Sequence, residues 1–321
     1  MREPAQIRPL PDGRRLHLHD GPIDLIIEAD GKRSAVQQAY KAAATRFVTI
    51  LDELCGELPL LRAPVSPNSP RPKGPIAQRM YDAVLRGASF QPANTNLGAP
   101  PSSFEGGLFI TPMAAVAGAV AETILQEMTQ AADLSRAYVN NGGDIALHLA
   151  PGQHFTVGMV ERPESPSLFG SARITAESAI SGIATSGWRG RSFSLGIADA
   201  VTVLASTAAE ADAAATIIAN AVDLPPHPAI ARAPANQITP DSDLLDLLVT
   251  RDVGPLSPHE IHQALNSGLR VAKILREKGL IHSAALCLQG HLRVTRRDGL
   301  LRSSADTTQA RLVPRRSFQH A

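Results

Sequence analysis

Apolar residues recur at helical spacing over residues 34–54, where Val36, Tyr40, Ala44, Phe47, Val48, Leu51 and Leu54 fall on one side. The apolar run at 23–28 (IDLIIE) reads as a strand, so the chain opens strand then helix. A helix of small residues is expected over 111–130, followed by strands at 137–139, 145–149 and 155–160 separated by turns. The clearest boundary lies further on. AVTVLA at 200–205 is a strand by composition, and Thr207-Ala208-Ala209-Glu210 fits a capping box opening a helix that runs to about residue 222. In the last module Pro258 opens a helix through residue 276, Gly279 serves as its C-cap, and ALCLQ at 285–289 is a strand.

Proline crowds two stretches, near 59–75 and 224–240, and both are expected to be surface loops. Residues 90–107 look irregular, and the polar, basic tail at 296–321 is expected to be flexible. The expected organisation is an N-terminal arm at 1–20, a single domain at 21–295, and that tail.

Composition narrows the partners. A chain of 321 residues with 44% hydrophobic content can bury a core. Lysine and arginine total 31 against 30 acidic residues, so no overall field draws the protein to nucleic acid or to an anionic membrane. The two cysteines, Cys55 and Cys287, form no Cys-x-x-Cys pair, which argues against a disulfide framework or a thiolate zinc site and for a reducing compartment. The basic N-terminus leads into no apolar run of signal-peptide length. The alanine-rich run at 113–121 is closed by Glu122 and falls short of the roughly 20 residues a span requires. A cytoplasmic protein is expected.

Three segments carry candidate chemistry. Asn140-Asn141-Gly142-Gly143-Asp144 lies between two strands, where Asn-Gly signals a hairpin turn. Its paired glycines also leave backbone N–H groups open to a ring or a phosphate, with Asp144 beside them. The segment from Thr185 to Asp199 gathers Ser186, Arg191 and Ser192 with glycines ahead of a strand. That is the composition of an anion-binding loop and equally of an ordinary connection. Trp188 could stack on a ring or simply pack. On the capped helix, Asp212 and Thr216 are four residues apart and share a face, offering oxygens that suit Mg²⁺; Asp212 could equally serve the helix dipole. No P-loop, zinc-protease or nucleophile-elbow pattern occurs, and His259 and His262 read as solvent-facing.

In order, PMAAVAGA at 112–119, Asn141 to Asp144, SFSLGIADAV at 192–201 and ADAAAT at 211–216 resemble the ApbE family of FAD:protein FMN transferases, and more closely its uncharacterised bacterial and archaeal branch. The resemblance extends from about Asp24 to about Gly290. It implies an α+β protein of tunnelling-fold type, with antiparallel sheets backed by helices and a ligand site between them. It further implies FAD or FMN and Mg²⁺ as cofactors, with Asn141, Gly142, Gly143 and Asp144 at the flavin and Asp212 and Thr216 on the metal; the anion-binding composition adds Ser186, Arg191 and Ser192 as candidate cofactor contacts, and Asp144 or Asp199 is the candidate acid–base group. A homodimer is also expected, because sheets of this fold complete themselves across subunits.

The sequence departs from the transferase pattern in two places. Ala117-Gly118 stands where the transferases carry Lys-Gly, and the segment from Arg191 to Asp199 lacks their His-x-x-Asp-Pro-x-Thr-Gly loop. Arg191 also replaces a histidine usual in the uncharacterised branch, favouring an anionic substituent over acid–base work. The readings are therefore an Mg²⁺-dependent flavin enzyme with weak or lost FMN transfer, a flavin- or pterin-binding accessory protein of a reductase or one-carbon pathway, or a hydrolase of a small cyclic amide.

Overall fold

The computed structural model describes residues 3–88, 109–160, 168–295 and 301–303. Strands β1 (Gln6–Pro9), β2 (Leu16–Asp20) and β3 (Ile23–Asp30) open the chain, followed by helices α1 (Arg33–Gly56), α2 (Leu58–Leu61) and α3 (Pro75–Ala88). A 3-10 turn at Pro112–Ala115 leads into α4 (Val116–Ala131) and then β4 (Arg136–Asn141), β5 (Asp144–Leu149), β6 (His154–Val160), β7 (Leu168–Thr175), β8 (Gly182–Ser186) and β9 (Ala200–Ala205). The chain continues through α5 (Ala208–Ala221), β10 (Ile230–Pro234), α6 (Ala235–Ile238), β11 (Leu248–Val253), α7 (Pro258–Glu277), β12 (Ser283–Leu288), β13 (His291–Val294) and β14 (Leu301–Ser303).

Nine strands form one antiparallel sheet in the order β1-β2-β3-β4-β5-β8-β9-β12-β13. Burial alternates along β3, and its inward residues Leu25 and Ile27 share a core with Phe47 and Ile50 of α1. The same core takes in Ile124 of α4, Ile218 of α5 and Leu275 of α7, so these helices cover one face of the sheet. On the opposite face Leu147, Ile183, Leu204 and Ala285 pack with Ala172 and Ile174 of β7, which belongs to a small sheet in the order β14-β7-β6. Strands β9 and β12 are thus covered on both sides, which is why they read as continuous apolar runs rather than alternating ones.

Local chemistry sets the helix ends. Thr207 accepts from the Glu210 N–H at 3.2 Å and caps α5, while Ser257 and Glu260 form a reciprocal capping box on α7. Gly279, at φ +72°, ends α7: its N–H donates to Arg276 and that of Leu280 to Leu275, a Schellman arrangement.

The fold is α+β, with antiparallel sheets backed by helices, as expected. Strands β1 and β2 occupy the first twenty residues, where an arm was expected: Ile7 pairs with Leu18, and Leu18 is fully buried. The proline-rich 59–75 stretch holds the end of α2, and 224–240 holds β10 and α6. The irregular 90–107 stretch lies outside the described residues, as does the tail apart from β14. Among the described residues, no helix is long and apolar enough to cross a membrane.

Where α4, the start of α5 and β8 meet, backbone approaches backbone. A Cβ on Gly118 of α4 would overlap the Ala208 carbonyl at the start of α5, and one on Gly182 of β8 would overlap the Thr207 carbonyl. Gly182→Ala is therefore expected to cost about 3 kcal/mol, the upper end for overpacking against backbone that has no rotamer to yield. Urea denaturation of the two proteins side by side checks this; a loss under about 0.5 kcal/mol, the scale of an ordinary surface change, would mean the approach is slack.

Candidate functional site

The β4–β5 hairpin closes through Gly142 and Gly143, at φ +64° and +114°, a backbone that glycine alone adopts cheaply. Asn140 Oδ1 accepts from the Gly143 N–H at 2.8 Å and fixes the turn. Asn141 is buried, and its Nδ2 donates to the Ala117 carbonyl at 3.2 Å, tying the turn to the first residues of α4. Arg191 lies against the turn from outside: a Cβ on Gly142 would collide with its guanidinium.

Two carboxylates converge beneath this turn. Asp144, the first residue of β5, accepts through Oδ1 from the Thr185 N–H of β8 at 3.1 Å. Asp212, in the second turn of α5, accepts through Oδ2 from the Gly118 N–H at 2.9 Å and so caps α4 from a neighbouring helix. Both are only partly exposed. Burial pushes Asp144 up from 3.8 to about 7, against the opposing pull of the Thr185 N–H and the Arg191 charge. Burial and then the Asp144 charge hold Asp212 well above 3.8, against the N–H groups of Gly118 and Ala117. Two carboxylates that repel each other in a poorly solvated cleft cannot both be charged without a compensating cation; near neutrality one takes a proton. The all-oxygen donor set has the chemistry of a hard divalent-cation site.

The other candidates distribute unevenly. Thr216 lies one turn beyond Asp212 on α5 and is partly exposed. Ser186 ends β8 opposite Val201, and Ser192 is exposed beside Arg191. Asp199, read as a possible general base, has hydrogen-bond partners other than those of Asp144 and Asp212. Its carboxylate is 5% exposed and fully engaged: Oδ1 accepts from Trp188 Nε1 at 3.1 Å and Arg189 Nε at 2.8 Å, and Oδ2 accepts from the Gln289 N–H at 2.6 Å. Arg189 also stacks 4.2 Å from the Trp188 ring centre, so the lone tryptophan packs within its own loop. Asp199 thereby clamps the loop that carries Arg191. The main-chain donors of Ala117, Gly118 and Thr185 are site groups that side-chain reasoning passed over. The glycine inside the small-residue run was the available signal for a close backbone approach.

The raised carboxyls make stability depend on pH in a defined direction. The folded state holds a proton on Asp144 that the unfolded chain releases above about pH 4, so the pair's contribution is full below pH 4 and declines as pH rises toward 7. Moving one carboxyl from 3.8 to about 7 corresponds to roughly 4 kcal/mol, reduced by screening in a partly open cleft to about 2. In metal-free buffer Asp144→Asn, which keeps the acceptor for the Thr185 N–H, is expected to stabilise the protein by about 2 kcal/mol at pH 8 and hardly at pH 4. Urea titrations at both pH values measure this; equal effects at the two would refute the pairing.

Curated relatives are similar over part of the chain. A UPF0280 protein of Methanopyrus kandleri is 40% identical over 111 residues, covering 35% of this chain and 43% of that protein. One of Methanothrix thermoacetophila is 40% identical over 114 residues, covering 35% and 46%. The aligned stretch thus spans under half the length of either relative. Among solved structures, the ApbE protein of Thermotoga maritima aligns over 94% of this chain and 99% of its own, at 13% identity and a TM-score of 0.49. The flavin transferase ApbE of Vibrio cholerae aligns over 95% and 99%, at 12% identity and a TM-score of 0.43. The model of the family described as AbpE bacteria matches residues 7–294, and the chain belongs to that family.

Proposed function

We propose that the cleft binds a flavin, FAD or FMN, together with Mg²⁺, and that transfer of FMN onto protein is weak or lost. The observation that carries this is the Asp144–Asp212 pair, both raised by burial and Asp212 further by the Asp144 charge, beside a Gly-Gly turn against which Arg191 lies. Asp144 and Asp212 would hold the cation, with the Thr216 hydroxyl one turn along α5 as a further oxygen. A bound Mg²⁺ would supply charge neutralisation at phosphate oxygens. Arg191 would pair with a phosphate, and the Gly142–Gly143 backbone would admit a flat ring that any side chain would block. Asn141 takes a positioning part, since it fixes the turn to α4.

Weak transfer is supported by what surrounds the pair. Ala117 offers no charge at the mouth of α4, and the 191–199 segment offers neither a histidine nor a free carboxylate, because Asp199 is committed to its clamp. Transfer requires leaving group and acceptor hydroxyl to be held in line, so loss of part of that shell costs orders of magnitude in rate.

A thermal-shift panel of FAD, FMN, a pterin and a small lactam, each with and without Mg²⁺, tests the binding reading. FAD with Mg²⁺ is expected to stabilise the protein, by about 2.7 kcal/mol at a hundredfold excess over Kd. The Mg²⁺-dependent part should vanish in Asp212→Asn. Stabilisation by the pterin or the lactam in place of the flavins would transfer the site to one of those ligand classes. Incubation with FAD, Mg²⁺ and a protein bearing an acceptor threonine, read by mass spectrometry, tests the second half: no labelling is expected, and efficient flavinylation would overturn it.

A further inference from the structure

The outer face of the sheet carries a cluster that the flavin cleft does not use. His17 and His19 alternate along β2 and so project on the same side, opposite to buried Leu18. Register places Asp24 of β3 directly across from His19. Asp24 Oδ1 is 3.0 Å from His17 Nε2, and Asp24 Oδ2 is 3.5 Å from His19 Nδ1. One ligand atom from each residue lies within 4.8 Å of the other two, the only such trio of His, Cys, Asp or Glu among the described residues.

We infer that His17, His19 and Asp24 form a second metal site, for a borderline divalent ion of the zinc type. Two imidazoles and one carboxylate are the ligand types such ions select, whereas Mg²⁺ prefers oxygen alone. Ligands on a tetrahedral zinc stand about 3.3 Å apart, given bonds near 2.0–2.1 Å, so small side-chain rotations close the trio on an ion. His19 Nδ1 is an independent pointer: it is shut off from solvent and makes no hydrogen bond, with only the Asp24 oxygen at 3.5 Å facing it. An imidazole nitrogen left in that state has an unmet lone pair or proton, which coordination would satisfy. Gln6 of β1 pairs with His19 in register and offers an amide oxygen from the same face as a fourth ligand.

The cluster has its own place in the fold. The residue after Asp24, Leu25, pairs with Asn141, so the trio sits at the same end of the sheet as the Gly-Gly turn. Asn141 and Leu25 point inward toward the helices, while the trio points outward. Metal held there would brace the β2–β3 hairpin rather than enter the cleft.

Equilibrium dialysis of untagged, chelator-stripped full-length protein against Zn²⁺, with Co²⁺ as a spectroscopic probe, tests the site. One ion per chain is expected, with a Co²⁺ absorption band of nitrogen–oxygen coordination. The double variant H17Q/H19Q should weaken Zn²⁺ binding by at least about 100-fold, while Asp212→Asn leaves it unchanged. Circular dichroism establishes that the variants fold; these side chains lie on a partly exposed face, so both should. Should the double variant misfold, imidazole NMR shifts of His17 and His19 on Zn²⁺ addition to the wild type decide the matter. No binding by the wild type, binding indifferent to the double variant, or binding lost in Asp212→Asn alone would overturn the inference.

Discussion

The site depends on one constraint, the contact of main chain with main chain where α4, α5 and β8 meet. Gly118 lies against the Ala208 carbonyl and Gly182 against the Thr207 carbonyl, with no room for a Cβ at either place. Helix α5 is correspondingly rich in alanine, and Ala208, Ala209, Ala211, Ala213 and Ala215 are all buried. Bulky residues would separate the helices by several ångströms, and the Gly118 N–H could no longer reach Asp212. Small side chains therefore set a carboxylate of one helix against the first turn of another.

That closeness has an electrostatic consequence. Asp212 is stabilised by the donors and the dipole at the start of α4 and destabilised by burial and by Asp144. The second pair of effects prevails, so the helix terminus moderates the repulsion without removing it. Asp144 has weaker help: the Thr185 N–H and a guanidinium whose side chain is exposed. The pair is thus left short of about one positive charge, a shortfall that a proton meets near neutrality.

Elements with strong local signals were legible in the sequence. Residues 200–205 form β9 as read, and Thr207 caps α5, because continuous β-branched composition and a capping hydroxyl are local properties. Helix α1 begins and ends within two residues of its apolar period. Strands β1, β2 and β8 were not read, since each is short and gains its pairing from partners rather than from its own pattern; β8 holds two neighbours with five residues, GIATS. Helix α3 went unread because the proline cluster before it drew the eye to a loop, although Pro75 stands at its first position, where proline is tolerated. The same division runs through the site. The Gly-Gly turn and Asp212 announced themselves by spacing, whereas the fate of Asp199 turned on Gln289, ninety residues away, which no local pattern could supply.

The Asp199 clamp has a consequence for Arg191. Trp188 N–H donates to the Ala198 carbonyl at 3.0 Å and Gly190 N–H to the Gly187 carbonyl at 3.0 Å, while Gly187 packs too closely on Asp199 to accept any side chain. The base of the 187–199 loop is therefore fixed from three directions: by its own main chain, by the Asp199 carboxylate and by β12. Only the tip bearing Arg191 and Ser192 is left exposed. A long cationic side chain on a fixed base loses less freedom on meeting an anion than one on a loose loop, because the backbone ordering has already been met by folding. The two oxygens of the Asp199 carboxylate, met by three donors, thus hold the position from which Arg191 reaches the Gly142 turn.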